Sequence, residues 1–114
     1  MITLYGIANC DTMKKARAWL DGRGVEYAFH DYKKAGIDEP LVRGWVAELG
    51  WEALVNRRGT TWRRLPEATR EGLDAESAVR LMVEHPSLIR RPVLDTGEGC
   101  QVGFSEDLYR ELFP

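Results

Sequence analysis

Ile2-Thr3-Leu4-Tyr5-Gly6-Ile7-Ala8-Asn9-Cys10-Asp11-Thr12-Met13-Lys14-Lys15-Ala16 holds the first change of pattern in the chain. Its opening, Ile2 to Tyr5, is short, β-branched and aromatic, and Gly6 follows it, as when a strand runs into a loop. From Asp11 the pattern is helical. Met13, Ala16 and Leu20 fall on one face with Trp19 beside them, and Gly22-Arg23-Gly24 supplies the stop. Val25 to Tyr32, rich in Tyr and Phe, is strand-like again. Strand, helix, strand predicts a βαβ unit with a parallel pair.

Cys10 stands where the loop hands over to that helix. A helix start presents unpaired backbone N–H groups and the positive end of the macrodipole. Both favour the thiolate, which is the nucleophilic form. Lys14, one turn on, adds positive charge, and Asp11 opposes it. The same position also suits a cysteine used as a small apolar residue, so position alone leaves both readings open. Cys100 opens a later strand beside a Gly-rich turn, where packing is the simpler role. The residue three after Cys10 is Met13, so there is no CxxC pair, and disulfide chemistry at Cys10 requires an outside thiol or Cys100. A helix-start cysteine is expected to titrate below the ordinary thiol value of about 8.5, and Cys100 near it.

The middle of the chain is helical. Asp38 suits an N-cap with Pro40 in the first turn, and Leu41, Val42, Trp45, Val46 and Leu49 form a stripe that Gly50 ends. Glu52 to Val55 suggests a short helical piece, and Asn56 to Leu73 reads as loop. Asp74 then caps a helix carrying Ala78, Leu81, Met82 and His85, which Pro86 terminates. Two strand-like segments, Pro92 to Asp95 and Cys100 to Gly103, flank the turn Thr96-Gly97-Glu98-Gly99 as a hairpin. Ser105 suits the cap of a last helix, with Leu108 and Leu112 facing inward.

The 114 residues suit one domain. Sixteen basic against eighteen acidic residues leave a formal charge of −2, which gives neither nucleic acid nor an anionic membrane a claim as main partner. The N-terminus lacks the basic and long apolar segments of a signal peptide, and no apolar run approaches the ~20 residues that span a bilayer. The expectation is a cytoplasmic monomer without a metal. His30 and His85 read as structural, and Trp19, Trp45 and Trp51 as core.

Tyr5 to Ala16 resembles the active-site segment of the arsenate reductase/Spx-related proteins. His85-Pro86-Ser87-Leu88-Ile89-Arg90-Arg91-Pro92-Val93 resembles their second signature, with Gly103-Phe104 as a weaker third. The likeness runs along essentially the whole chain. Asn9-Cys10-Asp11-Thr12 and Arg58-Gly59-Thr60-Thr61-Trp62-Arg63 look most like the family's YffB-like branch. The resemblance implies an α/β fold, a thioredoxin-like (glutaredoxin-type) mixed sheet with a helical insertion. One domain over 1–114 would have its thioredoxin-like parts at 1–33 and 86–114 and the insert over about 34–85. It also implies a nucleophilic Cys10, a functional Arg91, and a cis Arg91–Pro92 bond facing the nucleophile.

Arsenate reductases of this type use one cysteine, three arginines and glutathione with glutaredoxin. Here their middle-loop arginine falls at Asn56, with Arg57 and Arg58 just beyond, and the one near the C-terminal strand falls at or beside Gly103. Gly6-Ile7-Ala8 replaces a His-Asn-Pro. Most of the charge-assisted donors an oxyanion needs are thus missing. Spx regulators, which bind RNA polymerase, commonly carry a CxxC switch for which Met13 leaves no partner. The implied function is a glutathione-dependent thiol reductase in which Cys10 forms a mixed disulfide that an external thiol resolves. Glutathione would be a co-substrate and not a bound cofactor, beside an unknown thiol or disulfide substrate. Asn9, Asp11, Thr12, Lys14, Arg91 and Pro92 would surround it, and Arg57 and Arg58 of the basic loop would hold its carboxylates. A redox-responsive polymerase-binding regulator, or an arsenate reductase, is the alternative.

Overall fold

The computed structural model describes residues 1–114. In chain order the elements are β1 (Thr3–Gly6), α1 (Asp11–Gly22), β2 (Ala28–Asp31), α2 (Tyr32–Ala35), α3 (Glu39–Leu49), α4 (Trp51–Leu54), α5 (Thr60–Arg64), α6 (Glu67–Glu71), α7 (Ala75–Glu84), a 3-10 turn (Pro86–Leu88), β3 (Val93–Asp95), β4 (Cys100–Val102) and α8 (Glu106–Leu112). They group into two compact units, one of Met1–Asp31 with Arg91–Pro114, the other of Tyr32–Arg90. No helix is long and apolar enough to cross a membrane.

The first unit is built on a four-stranded sheet in the order β2-β1-β3-β4. β1 and β2 are parallel, with Leu4 opposite Phe29, and β3 runs antiparallel to both β1 and β4. Leu4 also lies opposite Leu94, so the alternation of side chains along strands sends both to one face. There they meet Met13, Ala16 and Leu20 of α1 and Tyr109 of α8, all fully buried. The three α1 residues are three and four positions apart, which puts them on a single helical face. Burying each leucine contributes roughly 1.5–3 kcal/mol.

One expectation needs correction in this unit, and another needs an addition. β2 covers Ala28–Asp31 and not Val25 to Tyr32. Tyr32 instead opens α2 in the helical unit, fully buried, where its hydroxyl donates to the Ile89 carbonyl at 3.0 Å. In α8, Ser105 does cap, accepting the Leu108 N–H at 3.1 Å, but the fully buried residue is Tyr109. Its ring meets Phe104 edge-on at 4.7 Å and Trp19 at 5.6 Å, with Leu108 and Leu112 half-buried around it.

In the helical unit α3 packs on α7, burying Val42 and Trp45 from one and Ala78, Val79 and Met82 from the other. Asp74 and Ser77 form a complete capping box at the start of α7, whereas Asp38 holds the cap position of α3 without a side-chain bond. Pro86 ends α7 at His85 and opens the 3-10 turn. Residues 56–73, expected as loop, contain α5 and α6. These helices have five residues each, too short to show a hydrophobic period.

Candidate functional site

β1 ends at Gly6, and the chain bends through Ile7, Ala8 and Asn9 to Cys10, which holds the N-cap position of α1 with extended backbone (φ −145°, ψ 130°). The Cys10 carbonyl accepts the Lys14 N–H at 2.9 Å, the first bond of the helix. The cysteine itself is partly exposed and packs against the core of its unit. This approach requires Gly6. A Cβ there would lie 2.3 Å from the Sδ of Met13, which is fully buried in the first turn of α1.

Partial burial pushes the Cys10 thiol up, but it is outweighed. The Met13 N–H, a hydrogen bond and the positive charge of the Arg91 guanidinium, and the Thr12 N–H all favour the thiolate and hold the pKa below its ordinary value. No capping bond of strict geometry closes on the side chain, so the two amides act as oriented dipoles facing the sulfur. Arg91 comes from the segment leading into β3. Its peptide bond to Pro92 is cis, Pro92 is buried, and the Pro92 carbonyl accepts the Gly103 N–H at 2.9 Å. A thiolate held by two amides and a guanidinium can act as a nucleophile toward sulfur, and as a leaving group from it.

Cys100 takes no part at this end of the sheet. It pairs with Asp95, which pairs with Thr3 at the start of β1, whereas Cys10 follows the far end of β1. The length of β1 alone separates the two ends by roughly 10 Å, beyond the ~7 Å Cα separation a disulfide tolerates. Of the two thiol sources open to Cys10, an outside thiol remains. Asn9, Asp11, Thr12 and Lys14 are exposed beside Cys10. Arg57 and Arg58 belong to the helical unit, where they line a cavity with Glu52, Val55, Asn56 and Arg90. The sequence reading anticipated free amides at the helix start without naming Met13 and Thr12 as the ones that face the sulfur, and it did not place Arg90 and Glu52 beside Arg57 and Arg58. No group of three or more His, Cys, Asp or Glu residues is placed to hold a metal.

The two cysteines should therefore alkylate differently. Cys10 is expected to react with iodoacetamide along a pH curve whose midpoint lies below that of an ordinary thiol. Cys100, 4% exposed, should react slowly in the folded protein throughout. Rates on Cys100→Ser and Cys10→Ser proteins report each thiol separately. A midpoint for Cys10 at or above the free-thiol value would contradict the site.

The sheet order and the single cysteine at the start of the first helix define a thioredoxin-like domain with a helix-start thiol. The chain belongs to the ArsC family, which it matches over residues 5–112. It is similar to the YffB protein of known structure, with 51% identity, a TM-score of 0.97 and full coverage (100%) of both chains. It is 42% identical over 113 residues to an uncharacterised protein of Haemophilus influenzae, covering 99% of each. It is also 30% identical over 116 residues to the global transcriptional regulator Spx of Bacillus subtilis, covering 100% of this chain and 88% of the regulator.

Proposed function

We propose that this protein is a glutathione-dependent thiol reductase working through a mixed disulfide on Cys10. The observation that carries the reading is the set of groups facing the sulfur: the Met13 and Thr12 amides and Arg91, with no second cysteine in reach. The Cys10 thiolate attacks the glutathionyl sulfur of a substrate disulfide. A bond forms between Cys10 and glutathione, the substrate S–S bond breaks, and the departing thiolate takes a proton from water. A second glutathione thiolate then attacks the adduct, releasing the Cys10 thiolate and oxidised glutathione. The substrate thiol is released reduced, and one free glutathione is consumed, leaving joined in a disulfide to the glutathionyl group taken from the substrate. Arg91 offers a guanidinium fork to a glutathione carboxylate, Lys14 a second cation, and Asp11 a partner for the ammonium. Asn9 and Thr12 add polar contacts, and the buried Pro92 fixes the segment that carries Arg91.

Oxyanion reduction is less well supported. Gly103, where the family resemblance would set an arginine, has φ +86°, a left-handed conformation that strains any side chain. Asn56, at the other such position, spends its Oδ1 on the Arg58 N–H at 3.1 Å. The likeness to Spx favours a second reading, a redox-responsive partner of RNA polymerase. Polymerase retained from lysate without any thiol turnover would favour it.

Intact-mass spectrometry after incubation with oxidised glutathione tests the proposal. One glutathione adduct is expected, mapping to Cys10, absent from Cys10→Ser and released by reduced glutathione. Arsenate supplied with glutathione and glutaredoxin should give no comparable turnover. An unmodified Cys10, or an adduct that maps to Cys100, would sink the reading.

A further inference from the structure

Leu54, Val55, Leu88 and Ile89 are all buried in the helical unit, at 0%, 2%, 0% and 0% exposure. Val55 and Ile89 form an antiparallel bridge, and the bonds on either side of it lock the two segments together. The Asn56 N–H donates to the Leu88 carbonyl at 2.8 Å, and the Arg90 N–H donates to the Leu54 carbonyl at 2.6 Å. The residues that leave this clamp on the solvent side are Asn56, Arg57 and Arg58 from one segment and Arg90 from the other. With Glu52 and Val55 they line a cavity of about 340 Å³, near the lower end of the range for small-ligand sites.

Two of the three guanidiniums are restrained. The Arg57 guanidinium lies 5.7 Å from the ring centres of both Trp51 and Trp62, and Arg90 Nη1 donates to the Ala53 carbonyl at 3.3 Å. The Asn56 carbonyl oxygen is held by the Arg58 N–H, which leaves the amide NH₂ of Asn56 as a further donor. None of Arg57, Arg58 and Arg90 is ion-paired, although the unit forms carboxylate pairs elsewhere through Arg43 and Arg80. Three guanidiniums around one small cavity, with a single carboxylate at Glu52, leave a net charge of +2 (three minus one).

We propose that this cavity is a binding site for a small dianion, a dicarboxylate or a phosphate group, held by Arg57, Arg58, Arg90 and the Asn56 amide. Two negative charges balance the +2 of the lining. Guanidinium forks match the paired oxygens of carboxylate and phosphate. The clamp, the indole faces and the Ala53 carbonyl hold Arg57, Arg90 and the Asn56 amide in place before the ligand arrives, which lowers the ordering penalty of binding. The site needs nothing from the thiol chemistry and stands whether or not glutathione reacts at Cys10.

NMR titration of the full chain with succinate and, separately, with inorganic phosphate tests it. Either anion should shift the amides of Asn56, Arg57, Arg58 and Arg90, and the tighter of the two identifies the ligand source. Arg90→Gln should weaken binding about tenfold, as loss of one charge-assisted contact does, and Arg57→Gln comparably. Arg90 is exposed, so its variant keeps the test valid if Arg57→Gln disturbs the tryptophans. Glu52→Gln should tighten both anions several-fold by removing a like charge. The proposal is overturned by no shift up to about 10 mM of either anion, by shifts indifferent to Arg90→Gln, or by weaker binding in Glu52→Gln.

Discussion

Arg91→Ala is expected to slow formation of the Cys10–glutathione mixed disulfide roughly ten- to a hundredfold at neutral pH, with the fold intact. The guanidinium acts twice. By hydrogen bond and charge it lowers the Cys10 pKa, so its loss shrinks the thiolate fraction. It also offers a carboxylate partner to glutathione, so its loss weakens docking. The pH dependence separates the two. A thiol whose pKa is held low is more ionised at neutral pH than an ordinary one, and raising that pKa moves the rate curve toward higher pH. The deficit of the variant should therefore narrow as pH rises through the free-thiol value, where both proteins are thiolate. Whatever deficit persists there measures docking. Arg91→Lys, which keeps the charge but not the fork, should recover reactivity more than docking. Stopped-flow rates across pH 5 to about 10 bracket both values. A variant matching the parent at every pH would remove Arg91 from the site.

The sequence disclosed those features that depend on pattern over several residues. Met13, Ala16 and Leu20 announced α1, and the βαβ order followed from the two strand-like segments around it. The caps at Asp74 and Ser105 were legible because the side chain that makes the bond also marks the position, whereas the return bond from Ser77 was not read. Asp38 shows the limit of that logic, since it holds its cap position with no side-chain bond. Tyr32 was misread because tyrosine is common in strands. Its burial is decided by a carbonyl 57 residues away, which no local pattern contains. Tyr109 was missed for a related reason. The spacing of Leu108 and Leu112 rightly indicated an inward face, but not that Tyr109 between them is the fully buried residue, its ring edge-on to Phe104 and Trp19. At the site, Cys10 and Arg91 could be named from motifs and the helix start announced free amides, but that the Met13 and Thr12 amides are the ones facing the sulfur depends on the turn's geometry. The arginine cavity was half visible. Arg57 and Arg58 stood out as a basic run, while Arg90 joins them only through the Val55–Ile89 bridge.

Gly6→Ala should cost about 1–3 kcal/mol of stability, the usual range for forcing a group into a filled core, and should also raise the Cys10 pKa. The added Cβ would stand 2.3 Å from Met13 Sδ and 2.6 Å from its Cε. Methionine is flexible and could yield at a surface, but Met13 is fully buried among Leu4, Ala16, Leu20 and Leu94, which leave it no space to enter. Relief must come from the first turn of α1. That turn carries the Met13 and Thr12 amides that face the sulfur, so the same displacement that loosens the core also turns the dipoles away from Cys10. Stability and thiol reactivity should therefore fall together, by denaturant midpoint and by alkylation rate against pH. Met13→Ala supplies the control. Alone it opens a cavity, at about 2–5 kcal/mol, but combined with Gly6→Ala it removes the colliding atoms, so the double variant should lose less than the sum of the singles. Strict additivity would show that the alanine methyl meets no resistance from Met13. An unchanged thiol titration in a destabilised Gly6→Ala protein would show that the amides of the first turn do not set the reactivity of Cys10.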